Sequence, residues 1–172
     1  MSFSYDKARL SLKVLVTAFL LFVGIGYIFG LMNIHNNVGF SYTGVVVHYR
    51  GSEKEMTVPP EFAFSKMVQQ YHVHLFSLSM LFFMVGMLFS FTNLPEPLKV
   101  IFIAAPFLGM FLDFSSLWLT TFFAAYFGWF SMVFGFFMAL SFLMLMGRPL
   151  YEMWILPLWK KKWNGKVPWF LK

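Results

Sequence analysis

Cysteine is absent from this chain of 172 residues. Its absence excludes disulfides, thiolate metal sites, iron–sulfur clusters and covalent c-type haem held through C-x-x-C-H. Charge is scarce as well, at 12% of residues, against 59% hydrophobic residues. That balance lies outside the soluble range, so no soluble domain is expected beside the apolar part. The net charge of +6 gathers mostly at the two ends. It speaks of membrane orientation, and nucleic-acid binding is not expected.

What the chain has instead is apolar length. Mean hydropathy is +0.71 and phenylalanine alone contributes 25 residues. Lys7, Arg9 and Lys13 stand directly before the run Val14 to Ile34. That run is too long for a signal-peptide core and no small-residue cleavage site follows, so it reads as a retained first span. Pro59 and Pro60 favour a helix start near Glu61. The break Thr92-Asn93-Leu94-Pro95-Glu96-Pro97 separates the second apolar run from the third. The expected fold is an all-α polytopic membrane protein, a four-helix bundle. Its spans fall at about 13–34, 65–91, 98–117 and 121–146. A short turn near Ser115–Leu119 joins the last two. Residues 35–64 form an outer loop whose piece Val45 to Tyr49 reads as a strand or a short interfacial helix. Residues 147–172 form an interfacial tail in which Trp154, Trp159, Trp163 and Trp169 alternate with lysines. Because the ends are basic and the loop mixes both signs, both termini are expected in the cytoplasm.

Small and polar residues recur at helical spacing within each span. In the second they are Ser65, Gln69, His72, Phe76, Ser79, Phe83, Gly86 and Ser90. Small residues permit close approach between helices in lipid, so this stripe is expected to face the bundle and to aim His72 inward. His74 lies about 200° further round, with Leu78, Leu81, Val85 and Leu88 on the face expected to meet lipid. In the first span the inward stripe is Thr17, Leu21, Gly24, Ile28, Leu31 and His35, with Gly26 and Gly30 as a GxxxG pair elsewhere. Ala105, Gly109, Asp113 and Ser116 share a face of the third span. Thr121, Ala124, Gly128, Ser131 and Gly135 share one of the fourth.

Chemistry, on this topology, gathers towards the outer leaflet. His35 ends the first span there, His72 and His74 open the second, and His48 lies in the loop. Asp113 lies roughly 21 Å into its span, and a carboxylate in hydrocarbon is a functional candidate by default. A structural role for it, bonded to Ser115, Ser116 or a histidine, is the alternative. His35 and His72 on facing helices suit the bis-imidazole ligation of a b-type haem. The same two with Asp113 make a non-haem metal set, and His72 or Asp113 suits a quinol pocket as proton acceptor. His48 and His74 fit equally well as interfacial side chains.

Four pieces of sequence resemble a family of small four-helix bacterial inner-membrane proteins. They are His48-Tyr49-Arg50-Gly51-Ser52-Glu53, Tyr71-His72-Val73-His74-Leu75-Phe76, Gly109-Met110-Phe111-Leu112-Asp113 and Pro149-Leu150-Tyr151-Glu152-Met153-Trp154. The resemblance implies gene neighbourhoods of c-type cytochromes and respiratory complexes, and carries the family's histidine pattern onto His72 and His74, with Arg50 and Asp113 beside them. Two functions are then expected. One is an electron-transfer subunit with a b-haem or quinone site near the periplasmic face, working with other membrane subunits or a periplasmic c-type cytochrome. The other is a cofactor-free accessory or assembly subunit of a larger respiratory complex. A membrane metalloenzyme ranks third, and a transporter is disfavoured because no inverted repeat is visible. Whether the chain is an enzyme stays open.

Overall fold

A backbone in hydrocarbon must satisfy its own N–H and C=O groups, and this chain does so with helices throughout. The computed structural model describes residues 5–51 and 60–162. The remainder of the outer loop, residues 52–59, and the end of the tail, with Trp163 and Trp169, lie outside the described residues. A short 3-10 turn (Tyr5–Lys7) leads into α1 (Leu10–Asn37). Then follow α2 (Tyr42–Arg50), α3 (Pro60–Ser90), α4 (Glu96–Phe122) and α5 (Phe127–Leu150). A widened π-helical turn (Tyr151–Ile155) joins α5 to α6 (Leu156–Lys162). Four of the described helical stretches are long and apolar enough to cross a bilayer: Leu10–Asn37, Phe64–Ser90, Glu96–Phe122 and Phe127–Lys161.

Two boundaries differ from expectation. Residues 115–119 continue α4 as far as Phe122, so the turn falls at 123–126, and Thr121 belongs to α4. The expected end of the last span near 146 is not an end either, because helix persists through the π turn to Lys162. The cause is Pro157. It offers no N–H to the carbonyl of Met153 and crowds it, which widens the helix locally. Lys13 Nζ donates to that carbonyl at 3.3 Å.

The outer loop holds a helix, one of its two expected forms. The Ser41 side chain caps α2 by accepting from Gly44 N–H at 3.1 Å. Gly51 ends it at φ 83°, a conformation that favours glycine. A methyl group at Gly44 would stand 2.0 Å from the Val38 carbonyl oxygen, so that position also requires glycine.

Helices α4 and α5 form the most closely joined pair. A methyl group at Gly109 would come within 3.0 Å of Met138 Cβ, so glycine is what brings the two backbones together. The expected faces of these helices hold: Ala105, Gly109, Ser116, Gly128 and Ser131 are all buried. Helix α2 seats on Gly128 through Tyr42, Val45 and Val46, each at 3.5 Å from where its Cβ would be.

The expected face of α3 is reversed. Met67, Phe82, Val85 and Phe89 are buried, while Ser65, Gln69, His72 and Ser90 are exposed and Phe76 and Phe83 stand open at 76% and 62%. Lipid and bundle interior are equally apolar, so hydrophobicity cannot choose the side and shape complementarity does. Phe82 meets Phe107 and Phe142, and Phe89 meets Phe102, with ring centroids 5.7–6.0 Å apart. Of the expected stripe, Gly86 is buried, against Ile103. Helix α1 is sparsely covered, with Val16 and Leu20 its buried residues. Thr17 and Gly24 of its expected stripe do make contacts, with Trp154 and Met146, whereas Leu21 and Ile28 are exposed.

Candidate functional site at the α2 end of the bundle

Helix α4 places Asp113, Ser116 and Thr120 one above another at helical spacing. Ser116 and Thr120 bond back to carbonyls of their own helix. Asp113 instead looks across to α5, where Ser131 Oγ donates to its Oδ1 at 2.5 Å and Gly135 leaves room beside it. Among the described residues Ser131 is its hydrogen-bond partner. Two tyrosines, Tyr49 from α2 and Tyr71 from α3, lie within Coulombic reach of the carboxylate. Tyr71 OH donates to the Phe114 carbonyl, and its ring packs on Phe114 and Trp118. Gln70 Nε2 donates to Tyr49 OH at 3.4 Å. Burial of Tyr49, with Asp113 nearby, holds its hydroxyl above the usual tyrosine range, against a smaller opposing effect of the Gln70 bond.

Helix α2 is held over this cluster by Arg50, whose guanidinium donates to the Thr120 carbonyl at 2.9 Å, and by Tyr42, stacked on Trp129 at 5.0 Å. His48 Nδ1–H donates to the Asn37 carbonyl at 3.1 Å. Burial, and then the positive charge of Lys66, push its pKa below the ordinary histidine value despite that bond. The lowered pKa favours its neutral form.

On the opposite flank of α4 an open groove lies between α3 and α4, lined by Tyr71, Leu75, Phe111, Phe114, Ser115, Trp118 and Leu119, with a volume of about 430 Å³. Its walls are largely aromatic and aliphatic, with the Tyr71 hydroxyl and Ser115 as polar points. That is the make-up of a pocket for an apolar ligand with a small polar head.

The histidines fall differently from expectation. His35 is exposed and stacks on Phe40 at 5.5 Å. His72 is exposed on α3, away from the packed face. His74, expected to face lipid, is the one beside α4: its ring edge meets Phe114 at 6.3 Å, and its Nδ1–H donates to the Gln70 carbonyl at 2.9 Å. Among the described residues no three histidine or acidic side chains come close enough to share a metal ion. Asp113 is the expected site residue that gains a partner across helices, and that partner is Ser131, not Ser115, Ser116 or a histidine.

A second polar centre, which the span pattern does not mark, lies at the other end. Glu152 is fully buried. It accepts Arg148 Nε at 2.8 Å, the Asn93 backbone N–H at 3.0 Å and Asn93 Nδ2 at 2.9 Å. Tyr5, 1% exposed, closes the cluster by donating to the Leu88 carbonyl at 2.6 Å. Burial and the charge of Glu152 keep its hydroxyl well above the usual tyrosine range. Lys160 pairs with Asp6 at 2.6 Å, tying the first turn to α6. The signal for this centre in the sequence is Arg148 and Glu152, four residues apart within apolar surroundings.

Four apolar helices bundled around buried polar residues at each end define a polytopic α-helical membrane protein. A family model described as a transmembrane helical domain, Aq_1264_TM, matches residues 39–162, and the chain belongs to that family. The match begins after α1 and takes in α2, which agrees with how closely α2 is seated on the other helices. No curated protein and no solved structure matches the chain.

Proposed function

We propose that this protein is a quinone-binding electron-transfer subunit of a larger complex in a bacterial inner membrane, with the α2 end on the periplasmic side. The observation that supports it is the groove between α3 and α4. It has an open side, as a site entered by a lipid-soluble quinone needs. It presents the Tyr71 hydroxyl oxygen, whose own proton goes to the Phe114 carbonyl, as an acceptor for a quinol hydroxyl. Asp113 with Ser131 stands behind Tyr71 as a group able to take a proton when a quinol is oxidised. Quinol oxidation releases two protons and two electrons. Asp113 takes one proton and the other passes to water at the α2 end. The electrons leave one at a time in two encounters with a one-electron acceptor, for which a periplasmic c-type cytochrome is the natural candidate. A haem held by His35 and His72 would have to be ligated from exposed faces, at a boundary with lipid or with another subunit.

The test is titration of the detergent-purified full chain with a short-chain quinone, followed by tryptophan quenching. Saturable quenching is expected, weakened by Tyr71→Phe and abolished by Leu75→Trp, which fills the groove. Linear, non-saturable quenching in the unmodified protein would refute the reading. A second reading, a cofactor-free accessory subunit, is favoured by the open surface of α1 and by the exposed polar residues Gln69 and His72 on α3. Polar groups at that position suit the face of a neighbouring subunit. Co-purification with other membrane subunits that is lost on Gln69→Leu and His72→Leu replacement would support it.

A further inference from the structure

The charges at the Tyr5 end do not cancel, and the pairing scheme shows which remain. The acidic side chains there are Asp6, Glu96 and Glu152, and each has a cation: Lys160, Lys99 and Arg148. Lys13 is spent on the carbonyls of Asp6 and Met153. Lys7, Arg9 and Lys161 are exposed and have no anionic partner among the described residues. Residues 1–4 and 163–172 contain no Asp or Glu and add further lysines. The chain's other carboxylates are Asp113, at the α2 end, and Glu53, Glu55 and Glu61, in the segment that follows Arg50 of α2. Among the described residues no carboxylate is therefore left to neutralise these three.

Their positions in the chain are brought together by one ion pair. The Asp6–Lys160 pair brings the first turn against α6, so Lys7 and Lys161 are the chain neighbours of its two ends and Arg9 leads into α1 just beyond. Two indoles frame the group. Trp154 Nε1 donates to Thr17 Oγ1 at 2.9 Å and its ring lies 6.0 Å from Lys13 Nζ, while Trp159 follows on α6. Indoles of this kind sit at headgroup level in a bilayer. We propose that the first turn and α6 together form a binding site for an anionic phospholipid headgroup, its phosphate taken by Lys7, Arg9 and Lys161. Position selects the source of the phosphate, because this end of a membrane-spanning bundle meets lipid headgroups first. The bound lipid bridges the start of α1 and the end of α6, and so helps hold the sparsely packed α1 to the bundle.

The test compares retention of phosphatidylglycerol and phosphatidylcholine by the full chain, extracted from bicelles containing both and weighed by native mass spectrometry. Phosphatidylglycerol is expected to be retained preferentially. The preference should fall about fivefold for each charge removed by Lys7→Ala, Arg9→Ala or Lys161→Ala. It should also fade as salt rises. Lys66→Ala, at the α2 end, should leave it unchanged. Equal retention of the two lipids, or an undiminished preference in the triple variant, would overturn the proposal. If the triple variant does not fold, Lys161→Ala alone decides, since that side chain fastens no other part of the fold.

Discussion

Two carboxylates among the described residues, Glu152 and Asp113, lie at opposite ends of the bundle and are treated in opposite ways. Glu152 receives a guanidinium, a backbone N–H and a side-chain amide, and its exposure is zero. Asp113 receives one hydroxyl and has two tyrosines within Coulombic reach. A buried charge so fully bonded is a fastener: it joins the α3–α4 turn to the π turn after α5, and removing it takes from Arg148 and Asn93 the acceptor they share. A carboxylate with one neutral donor keeps acceptor capacity in reserve, as a group that exchanges a proton or receives a ligand must. On the proposed function, stability and chemistry fall to different ends.

The comparison can be broken most directly at Glu152. Glu152→Ala should destabilise the protein by about 3–5 kcal/mol, the cost of breaking a buried pair. Unfolding by denaturing detergent in mixed micelles would measure it, and a variant as stable as the parent would show that the clasp fastens nothing. Gly109→Val comes next. Its side chain must enter the space of Met138, at about 1–3 kcal/mol by the same measurement, with α4 and α5 forced apart.

Asp113→Asn sharpens the contrast. It should cost less than about 1.5 kcal/mol, since the amide oxygen still accepts from Ser131, while the response of quinone binding to pH disappears. Loss of folding comparable to that of Glu152→Ala would mean that both carboxylates are fasteners. The smallest effect is at His48. Its pKa is lowered in the fold, so the neutral form is favoured there and its contribution is complete above the ordinary value of 6.5. That contribution is lost as the pH falls below 6.5 and through the lowered value. Hydrogen exchange of α2 amides should therefore quicken on mild acidification, and Lys66→Ala should blunt the change. Exchange that is flat with pH in the parent protein would remove His48 from the account of how α2 docks.

Much of this architecture is legible in the amino-acid sequence. Long apolar runs with Gly and Pro breaks between them admit one reading, because unsatisfied backbone in lipid is too costly for anything but helices. The faces of α4 and α5 are legible too, since Gly109, Gly128 and Ser131 are small where the neighbouring backbone must come near. The same rule fails on α3. There the packing contacts are made by Phe82, Val85 and Phe89, and the polar stripe with His72 faces out. Helix α2 is illegible for another reason: nine residues, Gly44 among them, are too short for their periodicity to separate helix from strand.

What the sequence determined by itself is the class of protein, the approximate spans and the intramembrane position of Asp113, all of which follow from the cost of placing polar groups in hydrocarbon. The tertiary structure alone decided which face of α3 is inside and which partners each carboxylate has. Lipid and protein interior are equally apolar, so hydrophobicity is silent on that choice. It rests on the fit of particular side chains brought together from distant parts of the chain.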